Sequence, residues 1–215
     1  MNIAVVLSGA GVFDGSEIHE ATLTLLALDQ AGVKYQCMAP NVEQYANVNH
    51  LNNEPSQNKR NVLEESARIA RGEILDLAEV KSEDYDALIL PGGFGAALNL
   101  CDFALKGPDC TVNQEVEKLI LEFFQDRKVI AAMCIAPALL AKVLGKEEVL
   151  LTIGNDEGTA DAIEACGAIH RDCTVGDIVV DEANKLVTTP AYMLAKGPAE
   201  AWLGIEKLVK KVINY

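Results

Sequence analysis

The chain has 215 residues, half of them hydrophobic, and a formal net charge of −14. That length and apolar content suffice for one domain with a buried core spanning residues 1–215. The acidic balance argues against nucleic acid or an anionic membrane surface as a partner, and no apolar run is long enough to cross a bilayer.

Ile3 to Leu7 is a continuous apolar run, which predicts a strand buried on both faces. It begins so close to residue 1 that no leader is expected, which gives the cytoplasm as the expected compartment. The loop from Ser8 to Gly15 follows. Asp14 and Glu17 have capping-box spacing, so a helix is expected from near Ser16 to about Ala31, stopped by Gly32. Ile18, Ala21, Leu25 and Leu28 would form its buried stripe. Val33 to Met38 reads as a second strand. Residues 41–60 are polar and Asn-rich, an excursion without regular period.

Asn61 to Arg71 reads as a helix, and residues 87–90 as a short buried strand closed by Pro91-Gly92-Gly93-Phe94-Gly95. An amphipathic helix is expected over 112–126, a strand over 129–133, and a helix over 135–144 after a turn at Cys134. Val149 to Ile153 reads as a strand and Thr159 to Ala165 as a helix. Asp177 to Val180 and Lys185 to Thr188 are expected as two strands around the Asp181-to-Asn184 turn, and Ala199 to Ile213 as a closing helix. Strands apolar on both faces and alternating with helices imply an α/β fold, a mostly parallel sheet between two helix layers. In such sheets sites lie outside the carboxyl ends of the strands. The loops after Leu7, Leu90 and Met133 should therefore converge.

Cys134 is the candidate nucleophile. The run Val129 to Met133 halts at its thiol, and a helix-prone segment starts at once. A sulfur on such a strand-to-helix turn stands above the sheet edge beside the free N–H groups of the next helix, which favour thiolate. The other cysteines (Cys37, Cys101, Cys110, Cys166 and Cys173) form no C-x-x-C pair and read as reduced thiols, and with only three histidines no metal site is expected. Glu17 and Glu20 lie on one face of the first helix. One of them, protonated, could hydrogen-bond the sulfur and move protons, although acids at a helix start also simply complement the dipole. Gly92, Gly93 and the N–H of Ile135 could bind an oxyanion. Gly9-Ala10-Gly11-Val12-Phe13-Asp14 fails as a dinucleotide fingerprint, because Asp14 replaces the third glycine and no acid ends the second strand. No histidine neighbours Cys134. His19 would point to another face of its helix, His50 lies in the polar excursion, and His170 reads as satisfied locally.

Ala132-Met133-Cys134-Ile135-Ala136-Pro137, Leu90-Pro91-Gly92-Gly93-Phe94-Gly95 and the early glutamates resemble the PfpI-like branch of the class I glutamine amidotransferase superfamily. Asp14-Gly15-Ser16-Glu17-Ile18-His19-Glu20, Arg60-Asn61-Val62-Leu63, Leu151-Thr152-Ile153-Gly154 and Thr188-Thr189-Pro190-Ala191-Tyr192-Met193 are similar, more closely, to the ElbB-like glyoxalases named for enhanced lycopene biosynthesis. The resemblance covers essentially the whole chain. It implies a flavodoxin-like three-layer α/β/α sandwich, a homodimer, Cys134 as nucleophile and Glu20, about a dozen residues before Gly32, as its partner, with Glu17 second. Many relatives carry a histidine directly after the cysteine or about twenty residues on. Here Ile135 stands at the first place and Gly154-Asn155-Asp156 near the second, which puts peptidase and amidase chemistry in doubt and leaves Asn155 as a polar substitute at the site's edge. The expected activity is a cofactor-free glyoxalase acting on glyoxal or another small 2-oxoaldehyde. A redox-sensing protein using the same cysteine is the alternative, and a hydrolase or amidotransferase ranks below both.

Overall fold

The apolar run near the start of the chain becomes β1 (Asn2–Val6) because both of its faces find cover. Ile3, Val5 and Leu7 enter one hydrophobic cluster, and Ala4 and Val6 enter another. In the computed structural model, which describes residues 1–215, the elements that follow are α1 (Ile18–Gln30), β2 (Lys34–Ala39), β3 (Val48–Asn49), β4 (Glu54–Pro55), α2 (Val62–Ile69), β5 (Ile74–Asp76), β6 (Ala87–Leu90), α3 (Phe94–Leu98) and α4 (Phe103–Lys106). Next come α5 (Gln114–Gln125), β7 (Val129–Met133), α6 (Pro137–Leu144), β8 (Leu150–Leu151), α7 (Glu157–Ala165), β9 (Ile169–His170), β10 (Val179–Asp181), β11 (Leu186–Thr189) and α8 (Pro198–Ile213).

Seven strands form one sheet in the order β10-β11-β7-β6-β1-β2-β5. All pairings are parallel except that of β10 with β11. Helices α1, α2 and α8 cover one face, and α5 and α6 the other. This is the mostly parallel α/β/α sandwich expected from the sequence, of the flavodoxin-like, class I glutamine amidotransferase-like kind.

Several local expectations fail for identifiable reasons. The strand expected over Val149 to Ile153 shrinks to β8, which pairs only with β9, outside the main sheet. Side chains take its donors: Leu150 N–H gives to Asp181 Oδ2 at 2.8 Å and Thr152 N–H to Thr188 Oγ1 at 2.9 Å. Helix α1 begins at Ile18, with Glu17 as its N-cap. Asp14 takes no part in a capping box. It is buried under the excursion, accepting from Val48 N–H at 2.7 Å and pairing with Arg60 Nη1 at 3.2 Å. Ile18 is 47% exposed, and the buried stripe of α1 is Glu20, Ala21, Thr24, Ala27 and Leu28. Residues 41–60 fold back as the β3–β4 hairpin.

Candidate active site

The loops after β1, β6 and β7 do converge, and backbone hydrogen bonds hold them. Phe94 N–H donates to Val12 O at 2.8 Å, Glu17 N–H to Gly92 O at 2.9 Å and Gly95 N–H to Gly15 O at 2.9 Å. Cys134 N–H donates to Thr189 O at 3.0 Å, tying the turn to the end of β11. Cys134 itself sits at φ +60°, the left-handed conformation that a non-glycine residue adopts only when its surroundings enforce it. The strand-to-helix turn expected at this residue is present and is strained, and α6 opens at Pro137 rather than at residue 135.

Gly92 makes the approach possible. A Cβ there would lie 2.5 Å from Cys134 Cβ, 2.8 Å from Glu20 Oε2 and 3.0 Å from Cys134 Sγ. Only a residue without a side chain fits between the thiol and the acid. Glu20 is wholly buried; its Oε2 accepts from Gly92 N–H at 2.9 Å and its Oε1 from Tyr192 N–H at 3.0 Å. The carboxyl thus sits beside the Cys134 thiol, close enough for each to shift the other's titration.

Burial, reinforced by the Glu17 carboxylate, pushes Glu20 up to about 8, against the opposing pull of its hydrogen-bond donors. Burial likewise pushes the Cys134 thiol well above its ordinary range; a charged Glu20 pushes the same way, while N–H groups of Gly93 and Ile135 pull it down. The expected thiolate at rest is thus corrected: the turn supplies its N–H groups, but desolvation outweighs them. Two groups in contact titrate as a pair, and the pair gives up its first proton near pH 8.

Gly93 and Ile135, expected as oxyanion donors, line the same cavity as Cys134, and the N–H groups of both favour the charged sulfur. Gly93 has φ +96°, and a Cβ there would collide with the backbone of Gly15, Ser16 and Glu17. The N–H of Gly92 is occupied by Glu20 and is not free for an oxyanion. Glu17 borders the same cavity, but its Oε2 accepts from Glu20 N–H at 2.7 Å. Asn155 does not line the cavity at Cys134; it faces a neighbouring depression beside Cys173, Thr174 and Leu194, because the chain turns at Asp156 to start α7. His170 Nε2 accepts from Ile153 N–H at 3.3 Å, the local satisfaction expected of it. His19 Nδ1 lies 2.7 Å from the Tyr192 hydroxyl.

Tyr192 was not foreseen. It follows β11, another strand ending at the same sheet edge, and that position is the signal that could have found it. Phe103, on the short helix α4, carried no comparable signal. Both border a cavity of about 490 Å³ that opens onto Cys134. Away from this cavity, the neighbouring Cys101 thiol, with Lys142 assisting, draws the Cys110 thiol below its ordinary range. No helix is long and apolar enough to cross a membrane, and no group of three or more His, Cys, Asp or Glu side chains is arranged to hold a metal ion.

Residues 10–190 match the DJ-1/PfpI family. The chain is 48% identical to the glutamine amidotransferase-like class 1 domain-containing protein 3, mitochondrial, of Homo sapiens, over 99% of this chain and 82% of that protein. It is 36% identical to the ES1 protein, mitochondrial, of Danio rerio, over 99% of this chain and 85% of that one. The crystal structure of an isoprenoid biosynthesis protein with an amidotransferase-like domain from Ehrlichia chaffeensis superposes with a TM-score of 0.94 at 36% identity, covering 100% of this chain and 99% of that one. The cytoplasmic expectation is overturned by the mitochondrial designation of these relatives. It rested on how soon the first strand begins, and that position does not fix the compartment. With fold, strained cysteine turn and buried glutamate on one sheet edge, and with this match across most of its length, the chain belongs to the DJ-1/PfpI family.

Proposed function

We propose that this chain is a cofactor-independent glyoxalase, converting a 2-oxoaldehyde to a 2-hydroxy acid. The observation that carries the reading is the buried Glu20 carboxyl set beside Cys134, with Gly92 between them, at a cavity that Cys134 lines. The reactive form of the pair holds one proton, with sulfur anionic and Glu20 neutral. In that form the charge repulsion disappears, and the Gly93 and Ile135 N–H groups support the sulfur.

Sulfur adds to the aldehyde carbon while the Glu20 proton passes to the aldehyde oxygen, giving a hemithioacetal and a Glu20 carboxylate. That carboxylate removes the C–H proton, and an enediolate forms. Glu20 returns the proton to the neighbouring carbon as the hydroxyl proton shifts between the two oxygens, leaving a thioester. Water adds to the thioester carbonyl, its proton goes to Glu20, the C–S bond breaks, and the 2-hydroxy acid departs with the starting pair restored. The net change is addition of one water. The Gly93 and Ile135 N–H groups, next to the sulfur, are placed to steady oxygen charge during addition and release. Resemblance to the ElbB-like glyoxalases supports this reading. The histidine nearest in sequence to the glutamates, His19, is engaged with Tyr192, which disfavours hydrolase chemistry built on a Cys–His couple. A thiol that is buried and protonated at rest disfavours the redox-sensor alternative.

The test is glycolate formation from glyoxal by the purified chain and by Cys134→Ala, alongside mass spectrometry of the Cys134 peptide after mild peroxide. Turnover that vanishes in the variant supports the proposal. Glycolate output unchanged in Cys134→Ala sinks it, and fast sulfenic acid formation without turnover replaces it with the sensor.

A further inference from the structure

The cavity at Cys134 is far larger than glyoxal requires. Its volume is about 490 Å³. At ~30 Å³ for each water-sized group this is room for roughly sixteen such groups, whereas glyoxal has only a pair of carbonyl units. Ten of its 15 lining residues are hydrophobic, so the unused volume is a wall on which water gains little and hydrocarbon gains much. Cys134 supplies the reactive sulfur, and Val12, Phe94, Ala97, Phe103, Ala162 and Met193 are among the apolar residues around it.

The charges on the wall narrow the ligand further. Glu17 and Asp156 are its only charged side chains, and both are acidic. Asp156 is held below the usual carboxylate range by Thr159, whose hydroxyl and N–H donate to it at 2.6 and 2.9 Å, so it stays ionised. No Lys, Arg or His lines the cavity to receive a phosphate or carboxylate. An anionic substrate would meet two like charges and no partner.

We infer that the substrate is a neutral 2-oxoaldehyde bearing an aryl or branched hydrocarbon group, its dicarbonyl head at Cys134 and its hydrocarbon against Phe94, Phe103 and Met193. This rests on the glyoxalase reading for the chemistry, and on the shape and charge of the cavity for the class of ligand. Ala162, half-buried on α7, lines the same wall, so a large side chain there occupies the space of the hydrocarbon.

The experiment compares kcat/KM for phenylglyoxal and glyoxal in the wild-type chain and in Ala162→Phe. Saturation-transfer NMR of 1-phenyl-1,2-ethanediol, ethylene glycol and mandelate on the wild type accompanies it. The expected result is a preference for phenylglyoxal of at least tenfold, reduced at least tenfold in Ala162→Phe; because it is a ratio within one variant, partial loss of folded protein does not affect it. Equal or better use of glyoxal, or a ratio insensitive to the substitution, overturns the inference. If neither aldehyde is consumed, the glyoxalase reading fails, and the NMR decides the ligand class by itself. Binding of the phenyl diol over ethylene glycol and mandelate upholds it; binding of mandelate over the phenyl diol, or no discrimination between the two diols, overturns it.

Discussion

Glu20 faces the Cys134 thiol from inside the protein, and only the hydrogen-only face of Gly92 fits between them. Each group makes the other's charge more costly, so their protonation is a property of the pair. A carboxyl with two backbone N–H donors is ordinarily acidic. That Glu20 nevertheless lies near 8 shows how far desolvation, with Glu17 assisting, outweighs those two bonds. The consequence is a site that stores a proton at neutrality.

The first prediction concerns rate. The reactive one-proton form grows as the pair loses its first proton near pH 8. The kcat/KM for a 2-oxoaldehyde should therefore rise about tenfold per pH unit from pH 6 and level off above about pH 8. A profile flat between pH 6 and 8 contradicts the shared proton.

Stability should move the opposite way. The folded state keeps the Glu20 proton from an ordinary value of 4.5 up to about 8, so it binds more protons than the unfolded chain throughout that window. Stability is then greatest below pH 4.5 as far as this group is concerned, and it falls as pH rises towards 8, by up to ~1.4 kcal/mol per unit. Glu20→Gln removes the slope. It also places an amide N–H₂ against one of the N–H donors of Gly92 or Tyr192, costing about 1–3 kcal/mol at every pH. Urea unfolding at pH 5 and pH 8 separates the two effects: the wild type loses stability between them, and the variant is uniformly weaker with a smaller difference. An equal pH dependence in both proteins rules out Glu20 as its source.

The backbone at Cys134 supplies a third test. With φ at +60°, any residue bearing a Cβ is strained there, and glycine is not. Cys134→Ala and Cys134→Gly should both be inactive, yet Cys134→Gly should be the more stable of the two by about 1 kcal/mol despite its greater unfolded-state entropy. Thermal unfolding of the two variants settles this, and a more stable alanine variant argues against the strained turn.

Most of this architecture was legible because its signals are local. The runs Ile3 to Leu7, Ala87 to Leu90 and Val129 to Met133 are apolar on both faces and could only be central parallel strands. Cys134 was legible because the apolar run of β7 halts at its thiol, with α6 opening three residues later. Glu20 emerged from its helical position and the motif around it. What the chain did not disclose depends on long-range partners. The edge strand β5 is half-exposed and has no apolar run. Asp14 reads as a cap until Val48 and Arg60, 34 and 46 residues away, fold back onto it. The ionisation of Cys134 could not be read either, because it depends on how completely distant segments exclude water from its turn.

Gly92→Ala is the sharpest steric test of the site. The added methyl would meet Cys134 Cβ at 2.5 Å and Glu20 Oε2 at 2.8 Å, both on groups locked by backbone hydrogen bonds. One of the pair must move, so activity should fall at least a hundredfold, while overpacking costs about 1–3 kcal/mol and leaves the fold intact. Retained activity would show that the thiol and carboxyl need not touch.

The anchoring of residues 41–60 gives the last prediction. Asp14 is fully buried, and one oxygen serves both Val48 N–H and Arg60, while Oδ1 lies 3.9 Å from His50 Nε2. Its backbone carbonyl accepts from Asn99, which also donates to the Ser8 carbonyl and accepts from Tyr45 N–H. The excursion is thereby clasped to the loop between β1 and α1, the loop that delivers Glu17 and Glu20. Arg60→Ala leaves a buried carboxylate without its guanidinium. Because the Arg60 side chain is 29% exposed, the loss is set below the full value for a buried pair, at about 2–3 kcal/mol. Asp14→Asn in the same background restores much of that loss, since the amide carries no charge to leave unpaired, and it can still accept from Val48. Denaturant midpoints of the single and double variants measure this, and an Arg60→Ala protein as stable as the wild type excludes the clasp as a structural determinant.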